Sequence, residues 1–151
     1  MNINFPKVVD RTRWESVGDI IAEANEIAKN RKSGRTQTQV YEDSINGLTL
    51  QYAIAQALID AGYNLRLAPK NDKSFDFEID AIRFDVKGMF KESATAFTQS
   101  TWEKLNALPN TIYVCYDCRG DTCEYAGWCK HGDFMVSKIR DYCIFPNRLN
   151  K

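Results

Sequence analysis

Residues 74–88 read SFDFEIDAIRFDVKG, and the rest of this 151-residue chain is arranged around them. Apolar and polar residues alternate at every step in two runs, Phe75–Ile79 and Ile82–Lys87. Such alternation is typical of a β-strand with one buried face. Because only Asp80 and Ala81 separate the runs, the pattern predicts a hairpin with a two-residue turn, although Asp-Ala favours such a turn less than Asp-Gly does.

A turn at 80–81 sets the register of the hairpin, with Phe77 opposite Phe84 and Asp76 opposite Asp85. The apolar side chains are then expected on the core face: Phe75, Phe77, Ile79, Ile82, Phe84 and Val86. The charged side chains are expected on the other face: Asp76, Glu78, Arg83, Asp85 and Lys87.

Asp76 and Asp85 would aim two carboxylates at one point of that charged face. Directly opposed side chains have Cβ atoms about 4.5–5.5 Å apart, so two carboxylates there repel each other. A divalent cation between them removes the repulsion, and Mg²⁺ prefers carboxylate oxygens while it keeps several waters. Lys87 points to the same side, where its ammonium group can hold a water. We therefore expect a site for Mg²⁺ or Mn²⁺ at the two aspartates.

An Asp that opens one strand, followed by Asp-x-Lys on the next, resembles the PD-(D/E)XK nuclease superfamily. Asp76 matches the first acid of that motif, and Asp85-Val86-Lys87 matches its tripeptide, while Phe75 stands where the family's proline usually lies. The resemblance implies a restriction-endonuclease-like core, which is an α/β fold with a mixed central β-sheet flanked by helices. It also implies a Mg²⁺-dependent DNA endonuclease that hydrolyses phosphodiester bonds.

The resemblance further assigns a role to each matched residue. Asp76, Asp85 and the Val86 carbonyl would hold the cation, and Lys87 would position the attacking water or stabilise the charge of the transition state. In this family a helix before the first strand often carries a Glu that completes the site. Gln51 stands about where that Glu would be, so a catalytic Gln51 and an inactive relative are both open.

The surrounding elements follow from helix and strand signals. Thr12 and Glu15 fit a capping box for a helix that ends near Asn30, and Gly62 would end a second helix that begins near Thr38. Two strands are expected at 111–118 and 124–129, and the second, with Gly127-Trp128, is similar to the closing strand of small phage-type members of the superfamily. We predict a single domain with an N-terminal helical extension (1–37), a nuclease-like core (38–132) and a C-terminal helix and tail (133–151).

Contacts with nucleic acid are predicted in two basic loops and at one polar residue. The residues are Lys29, Arg31, Lys32 and Arg35 in the first loop, Lys70 and Lys73 in the second, and Gln99. Basic side chains neutralise phosphates, but an ordinary solvated loop has the same composition. Gln99 precedes Ser100-Thr101-Trp102-Glu103, a capping-box pattern that is a sufficient structural reason for these polar residues.

Four of the five cysteines lie close together near the only histidine: Cys115, Cys118, Cys123, Cys129 and His131. This spacing resembles that of a structural Zn²⁺ site or an iron–sulfur cluster, which needs four converging ligands, but buried reduced cysteines are also common small core residues. In a regular strand, however, Cys115 and Cys118 point to opposite faces. An odd number of cysteines does not fit a disulfide framework, so we expect free thiols or metal ligands in a reducing cytosol.

The chain has 20 basic and 20 acidic residues, so a DNA partner must meet a local basic patch. No apolar run approaches the ~20 residues of a membrane span, and the N-terminus lacks the apolar core of a signal peptide, which predicts a cytoplasmic protein without membrane contact. Two other functions stay open, namely a catalytically inactive nuclease-fold module that binds nucleic acid or a protein partner, and a domain centred on the Cys/His cluster. A homodimer is compatible with each of them.

Overall fold

The structure, a computed structural model, describes residues 1–15, 17–30, 34–69, 74–136 and 142–151. The helices of these residues are α1 (Gly18–Lys29), α2 (Gln37–Asp60) and α3 (Thr101–Asn106), and 3-10 turns cover Thr12–Trp14, His131–Asp133 and Pro146–Arg148. The strands are β1 (Val8–Val9), β2 (Leu65–Leu67), β3 (Phe77–Ile79), β4 (Ile82–Met89), β5 (Phe97–Gln99), β6 (Ile112–Asp117), β7 (Cys123–Lys130), β8 (Met135–Val136) and β9 (Tyr142–Ile144).

Six strands form a mixed sheet in the order β1-β7-β6-β4-β3-β2, and a second sheet has the order β5-β9-β8. The central neighbours β4 and β6 are parallel, and the other paired strands are antiparallel. A parallel pair needs a crossover connection, which here contains β5 and α3. The expectation of an α/β fold with a mixed sheet and helices is therefore confirmed.

The two faces of the large sheet are buried against different elements. On one face, α2 contributes Leu50 and Ile54 to a core that includes Phe84 and Val114. Because alternate residues of a strand point to opposite faces, Tyr113, Cys115 and Met89 lie on the other face, where they cluster with Phe97 and Ile144 of the small sheet. Asp85 and Lys87 alternate with Phe84 and Val86, so they lie on this second face, away from α2.

The hairpin has the predicted register. Phe77 pairs with Phe84 and Ile79 with Ile82, and the turn residues Asp80 and Ala81 both have positive φ, at 51° and 66°. Two positive φ values are what a tight turn between twisted strands requires. The prediction for Ile82 was wrong, since its position beside the turn leaves it 42% exposed.

The helix ends agree with the sequence signals in part. Thr36 caps α2 in a capping box with Gln39, and Gly62 follows the helix with φ +97°. The first helix begins at Gly18 and not after Thr12, because the Thr12 N–H and hydroxyl both donate to Asp10 and the chain forms a 3-10 turn there. None of the helices in the described ranges has the length and apolar character that a membrane crossing requires.

The C-terminal segment differs from the predicted helix. Met135–Val136 is a strand that pairs with β9, which also pairs with β5, while residues 137–141 lie outside the described part of the chain. These long-range pairings override the local helical pattern.

The C-terminal tail docks on β7, where Trp128 and Asn150 exchange two backbone hydrogen bonds. Gly127 permits this approach, since a Cβ at that position would lie 2.5 Å from the Asn150 carbonyl oxygen.

Replacing Ala81 with Gly should stabilise the protein. A left-handed conformation costs a residue with a Cβ about 1–2 kcal/mol, and Gly removes that cost although it gives the unfolded chain more freedom. We expect a net gain of about 1 kcal/mol and a melting temperature higher by roughly 2–4 °C, measured by thermal unfolding. Ala57→Gly in the regular helix α2 is the control and should destabilise by about 1 kcal/mol. An unchanged or lower melting temperature for Ala81→Gly would contradict strain at the turn.

Candidate active site

Asp76 precedes β3 and is tied to the backbone of β4. Its Oδ2 accepts a hydrogen bond from the Val86 N–H at 2.7 Å, and its own N–H donates to the Phe84 carbonyl oxygen at 2.8 Å. These two contacts bracket Asp85, which lies between Phe84 and Val86. The structure thus brings the carboxylates of Asp76 and Asp85 to the same part of the hairpin.

Both aspartates are poorly solvated, and this perturbs their protonation. Burial raises the pKa of Asp76 well above its ordinary value, and the charge of Asp85 raises it further, against the lowering effect of the Val86 N–H. Burial also raises the pKa of Asp85, against the charge of Lys87. Two carboxylates with raised pKa values at one place disfavour simultaneous ionisation unless positive charge is added.

Lys87 contacts two acids. Its Nζ lies 3.4 Å from Asp85 Oδ1 and 3.2 Å from Glu103 Oε1, and its side chain is only 13% exposed. Burial lowers the pKa of Lys87, but the negative charges of Asp85, Glu103 and Asp76 outweigh burial, so its pKa is raised above the ordinary value. The ammonium group therefore stays charged at neutral pH.

Glu103 is the acid of this site that the sequence did not predict. It belongs to α3, where it forms a capping box with Ser100, and the same carboxylate accepts from Lys87. The sequence marked Glu103 as a helix-capping residue. No local signal shows that α3 returns to β4, because that contact joins positions sixteen residues apart.

The donor atoms around Asp76 and Asp85 suit a hard cation. The N–H and C=O of one strand residue point to the same side, so the Val86 carbonyl points toward the Asp76 side of β4, beyond the start of β3. Within the described ranges, no three His, Cys, Asp or Glu side chains form a group that could hold a metal ion. Mg²⁺ is usually bound by only one or two carboxylates with waters, so two aspartates and a carbonyl fit its chemistry.

Gln51 has no described contact with these residues. It is half-buried on α2, which covers the sheet face opposite to Asp85. Its neighbour Tyr52 packs with residues of α1, and its hydroxyl donates to Glu23 at 3.2 Å. Burial and the charge of Glu23 raise the pKa of Tyr52 to about 12.

Gln99 lies inside the protein behind the site. It is 1% exposed, and its Nε2 donates to the Tyr113 hydroxyl at 2.7 Å. That hydroxyl also lies 3.3 Å from His131 Nδ1, and Tyr113 is the neighbour of Asp85 in the parallel pair. The expected contact of Gln99 with nucleic acid does not agree with this burial. The polar residue instead supports Tyr113, next to the acids.

The predicted basic loops are described only in part. Lys29 is exposed at the end of α1, and Arg35 is exposed and forms an ion pair with Asp43. Neither has a described contact with the acids of the site. Arg31, Lys32, Lys70 and Lys73 lie outside the described residues.

The cysteines do not converge on one point. Cys118 and Cys123 form a disulfide across the turn between β6 and β7, which corrects the expectation of free thiols or metal ligands for this pair. Cys115 and Cys129 are free and buried on the other face, and the Cys115 thiol interacts with that of Cys129. His131 contacts Tyr113 instead of a cysteine. Strand alternation separates Cys115 from Cys118 on β6, and on β7 the bulge at Ala126 moves Cys129 to the face opposite to Cys123.

Comparison of the chain with models of protein families finds no match. Comparison with curated proteins also finds none.

Replacing Asp76 with Asn should stabilise the cation-free protein at neutral pH. The folded state keeps a proton on Asp76 above the pH at which the unfolded carboxyl loses it, so wild-type stability falls as pH rises from about 4 through the raised pKa. Asn lacks this effect and still offers an oxygen to Val86. We expect a gain of about 1 kcal/mol, or roughly 2–4 °C, at about pH 7.5 and no gain near pH 4, measured by thermal unfolding in EDTA.

Asp121→Asn, at an exposed position of the turn after β6, is the matched control and should leave the melting temperature unchanged at both pH values. If Asp76→Asn melts below wild type at neutral pH, then the aspartate is stabilising and the repulsion between the two acids is not significant.

Proposed function

We propose that this protein is a divalent-cation-dependent DNA endonuclease of the PD-(D/E)XK type, with a restriction-endonuclease-like core over residues 38–132. One arrangement supports the proposal: Asp76 is held against the Val86 N–H, and Lys87 lies 3.4 Å from Asp85 on the same sheet face. The order of elements agrees with it, since α2 precedes the hairpin and the parallel pair of β4 and β6 follows.

Asp76, Asp85 and the Val86 carbonyl are the residues that would hold Mg²⁺ or Mn²⁺. When bound, such a cation supplies positive charge that stabilises a phosphodiester in its transition state and a water that is more readily deprotonated. The two aspartates, whose pKa values are raised in the absence of this charge, would ionise to bind it.

Lys87 would act on the substrate side of the same site. Its charged ammonium donates hydrogen bonds, so it can orient the attacking water and stabilise negative charge that develops on the phosphate oxygens. Burial excludes competing solvent and keeps this donor in place, since the side chain is 13% exposed. Tyr113 lies beside Asp85 on the neighbouring strand, and its hydroxyl accepts a hydrogen bond from Gln99. It therefore supports the buried side of the site.

A non-catalytic module that binds nucleic acid is the second candidate. It is favoured by one observation, namely that Gln51 has no described contact with the acids and offers no charge to a cation. Such a protein would bind DNA without cutting it. The Cys/His cluster is a weaker basis for function, because Cys118 and Cys123 are bonded to each other and His131 contacts Tyr113.

Nicking of supercoiled plasmid by purified protein tests the proposal. We expect cleavage with Mg²⁺ or Mn²⁺ and none with EDTA, and Lys87→Ala should lower the rate by about 100-fold or more because it removes a donor aimed at developing charge. Asp76→Asn and Asp85→Asn should abolish both the cleavage and the rise in melting temperature that Mn²⁺ gives wild type, because the cation loses a ligand.

Lys91→Ala is the matched control for Lys87→Ala, because Lys91 is an exposed lysine just after β4. It should cut at the wild-type rate. DNA binding by wild type with no nicking under any cation would favour the non-catalytic module, whereas equal rates for wild type and Lys87→Ala would show that any nicking comes from elsewhere.

A further inference from the structure

We infer that Glu103 is a positioning residue of the proposed site. It shares the ammonium group of Lys87 with Asp85, and by doing so it leaves the Asp85 carboxylate available to a divalent cation. This inference rests on the proposed function and adds to it an acid supplied by α3, on the far side of the crossover from β4.

Lys87 is shared between Glu103 and Asp85. Its Nζ lies 3.2 Å from Glu103 Oε1 and 3.4 Å from Asp85 Oδ1. A full charge-assisted hydrogen bond is shorter, about 2.7–2.9 Å, so neither acid engages the lysine fully and the ammonium group is divided between them. The side chains of Lys87 and Asp85 are 13% and 18% exposed, and that of Glu103 is 44% exposed. Glu103 thus lies on the solvent-exposed side of the Lys87–Asp85 pair.

Glu103 is fixed in place independently of Lys87. Its Oε2 accepts from the Ser100 N–H at 3.2 Å, and its own N–H donates to Ser100 Oγ at 3.1 Å. Each carboxylate oxygen therefore has its own partner, the helix start for one and Lys87 for the other. The capping box that begins α3 also orients an acid toward β4.

Loss of Glu103 would change what Lys87 does to Asp85. Of the two acids that contact Lys87 in the described part of the chain, only Asp85 would remain, and a lysine bound closely to Asp85 competes with a cation for the same carboxylate. Glu103 also completes the charge of the site. When ionised, three carboxylates and one ammonium leave two negative charges, the charge that one divalent cation balances, while Gln51 contributes none.

Glu103→Gln separates the two tasks of the carboxylate. The two contacts of Glu103 are made at different oxygens, and Gln has an acceptor at only one of these two positions, so in the same rotamer it can cap the Ser100 N–H or accept from Lys87, but not both. Capping boxes use Gln as well as Glu, so α3 should still form. The experiment is calorimetric titration with Mn²⁺ of four full-length proteins: wild type, Glu103→Gln, Lys87→Ala and the double variant.

Glu103→Gln should weaken Mn²⁺ binding roughly tenfold in the presence of Lys87, and by less than about threefold in the Lys87→Ala background. This non-additivity is expected because the competing lysine is absent from the second pair. Equal losses in both backgrounds would mean that Glu103 acts only through its charge, and no loss would mean that it does not act on the site. Either result overturns the inference.

Ser100→Ala is the structural control. It removes the Oγ that accepts from the Glu103 N–H but keeps the backbone N–H of residue 100, which holds the Glu103 carboxylate, so it should lower the melting temperature and keep Mn²⁺ affinity within about threefold of wild type. A tenfold loss from Ser100→Ala would show that helix stability alone is responsible. If Glu103→Gln does not fold, Glu103→Asp serves in its place, since the shorter side chain can cap α3 but not reach Lys87.

Plasmid nicking by the same proteins separates this inference from the proposed function. With the inference correct and the protein a nuclease, Glu103→Gln lowers the turnover rate at saturating DNA with little change in KM for DNA. Non-additive Mn²⁺ binding without nicking by any protein rejects the nuclease and keeps the role of Glu103. Nicking with additive Mn²⁺ binding rejects the role and keeps the nuclease. A wild type that binds no Mn²⁺ rejects both.

Discussion

The ammonium group of Lys87 compensates the acids that the hairpin and α3 place together. Asp85 and Glu103 both lie within 3.4 Å of its Nζ, and Asp76 is close enough to affect its pKa. Burying a carboxylate without a partner is costly, and two of them repel each other. The one ammonium group of Lys87 makes this arrangement tolerable, yet it leaves excess negative charge within this cluster. The geometry of the candidate site follows from that imbalance.

The residues on the other face of β4 contribute stability that offsets the cost of this excess negative charge. Phe84 is fully buried beneath α2, two residues before Val86 and next to Asp85. Burying a side chain of this size contributes about 1.5–3 kcal/mol, comparable to the cost of a poorly solvated acid. Because side chains alternate, one strand can anchor a core with its even residues and hold a reactive group with its odd residues. The hairpin register therefore determines both packing and chemistry.

The sequence predicted the features that depend on local pattern and missed those that depend on contacts between distant residues. Strict alternation around Asp80-Ala81 was enough for the register of β3 and β4 and for the face that carries Asp85 and Lys87. The capping pattern at Ser100 located α3, but nothing local indicated that Glu103 would reach Lys87. The described residues of the predicted C-terminal helix differ from it for the same reason, since β8 and β9 are strands through pairing with each other and with β5. Strand parity separated Cys115 from Cys118 correctly, but it could not show the bulge of β7 that separates Cys129 from Cys123, or that Cys118 and Cys123 would be oxidised.

The position of Glu103 also explains how a site of this kind can form with Gln and not Glu at position 51 of α2. α2 covers the face opposite to Asp85, so a side chain from it must pass the edge of the sheet to reach the acids. The crossover between the parallel strands β4 and β6 has no such obstacle, because it must pass over one face of the sheet to connect them. Here α3 crosses on the face that carries Lys87. An acid at the third position of that helix is held by its own capping box, so it can be placed accurately at little cost in side-chain freedom. The topology thus offers α3 as the more direct source of the third negative charge.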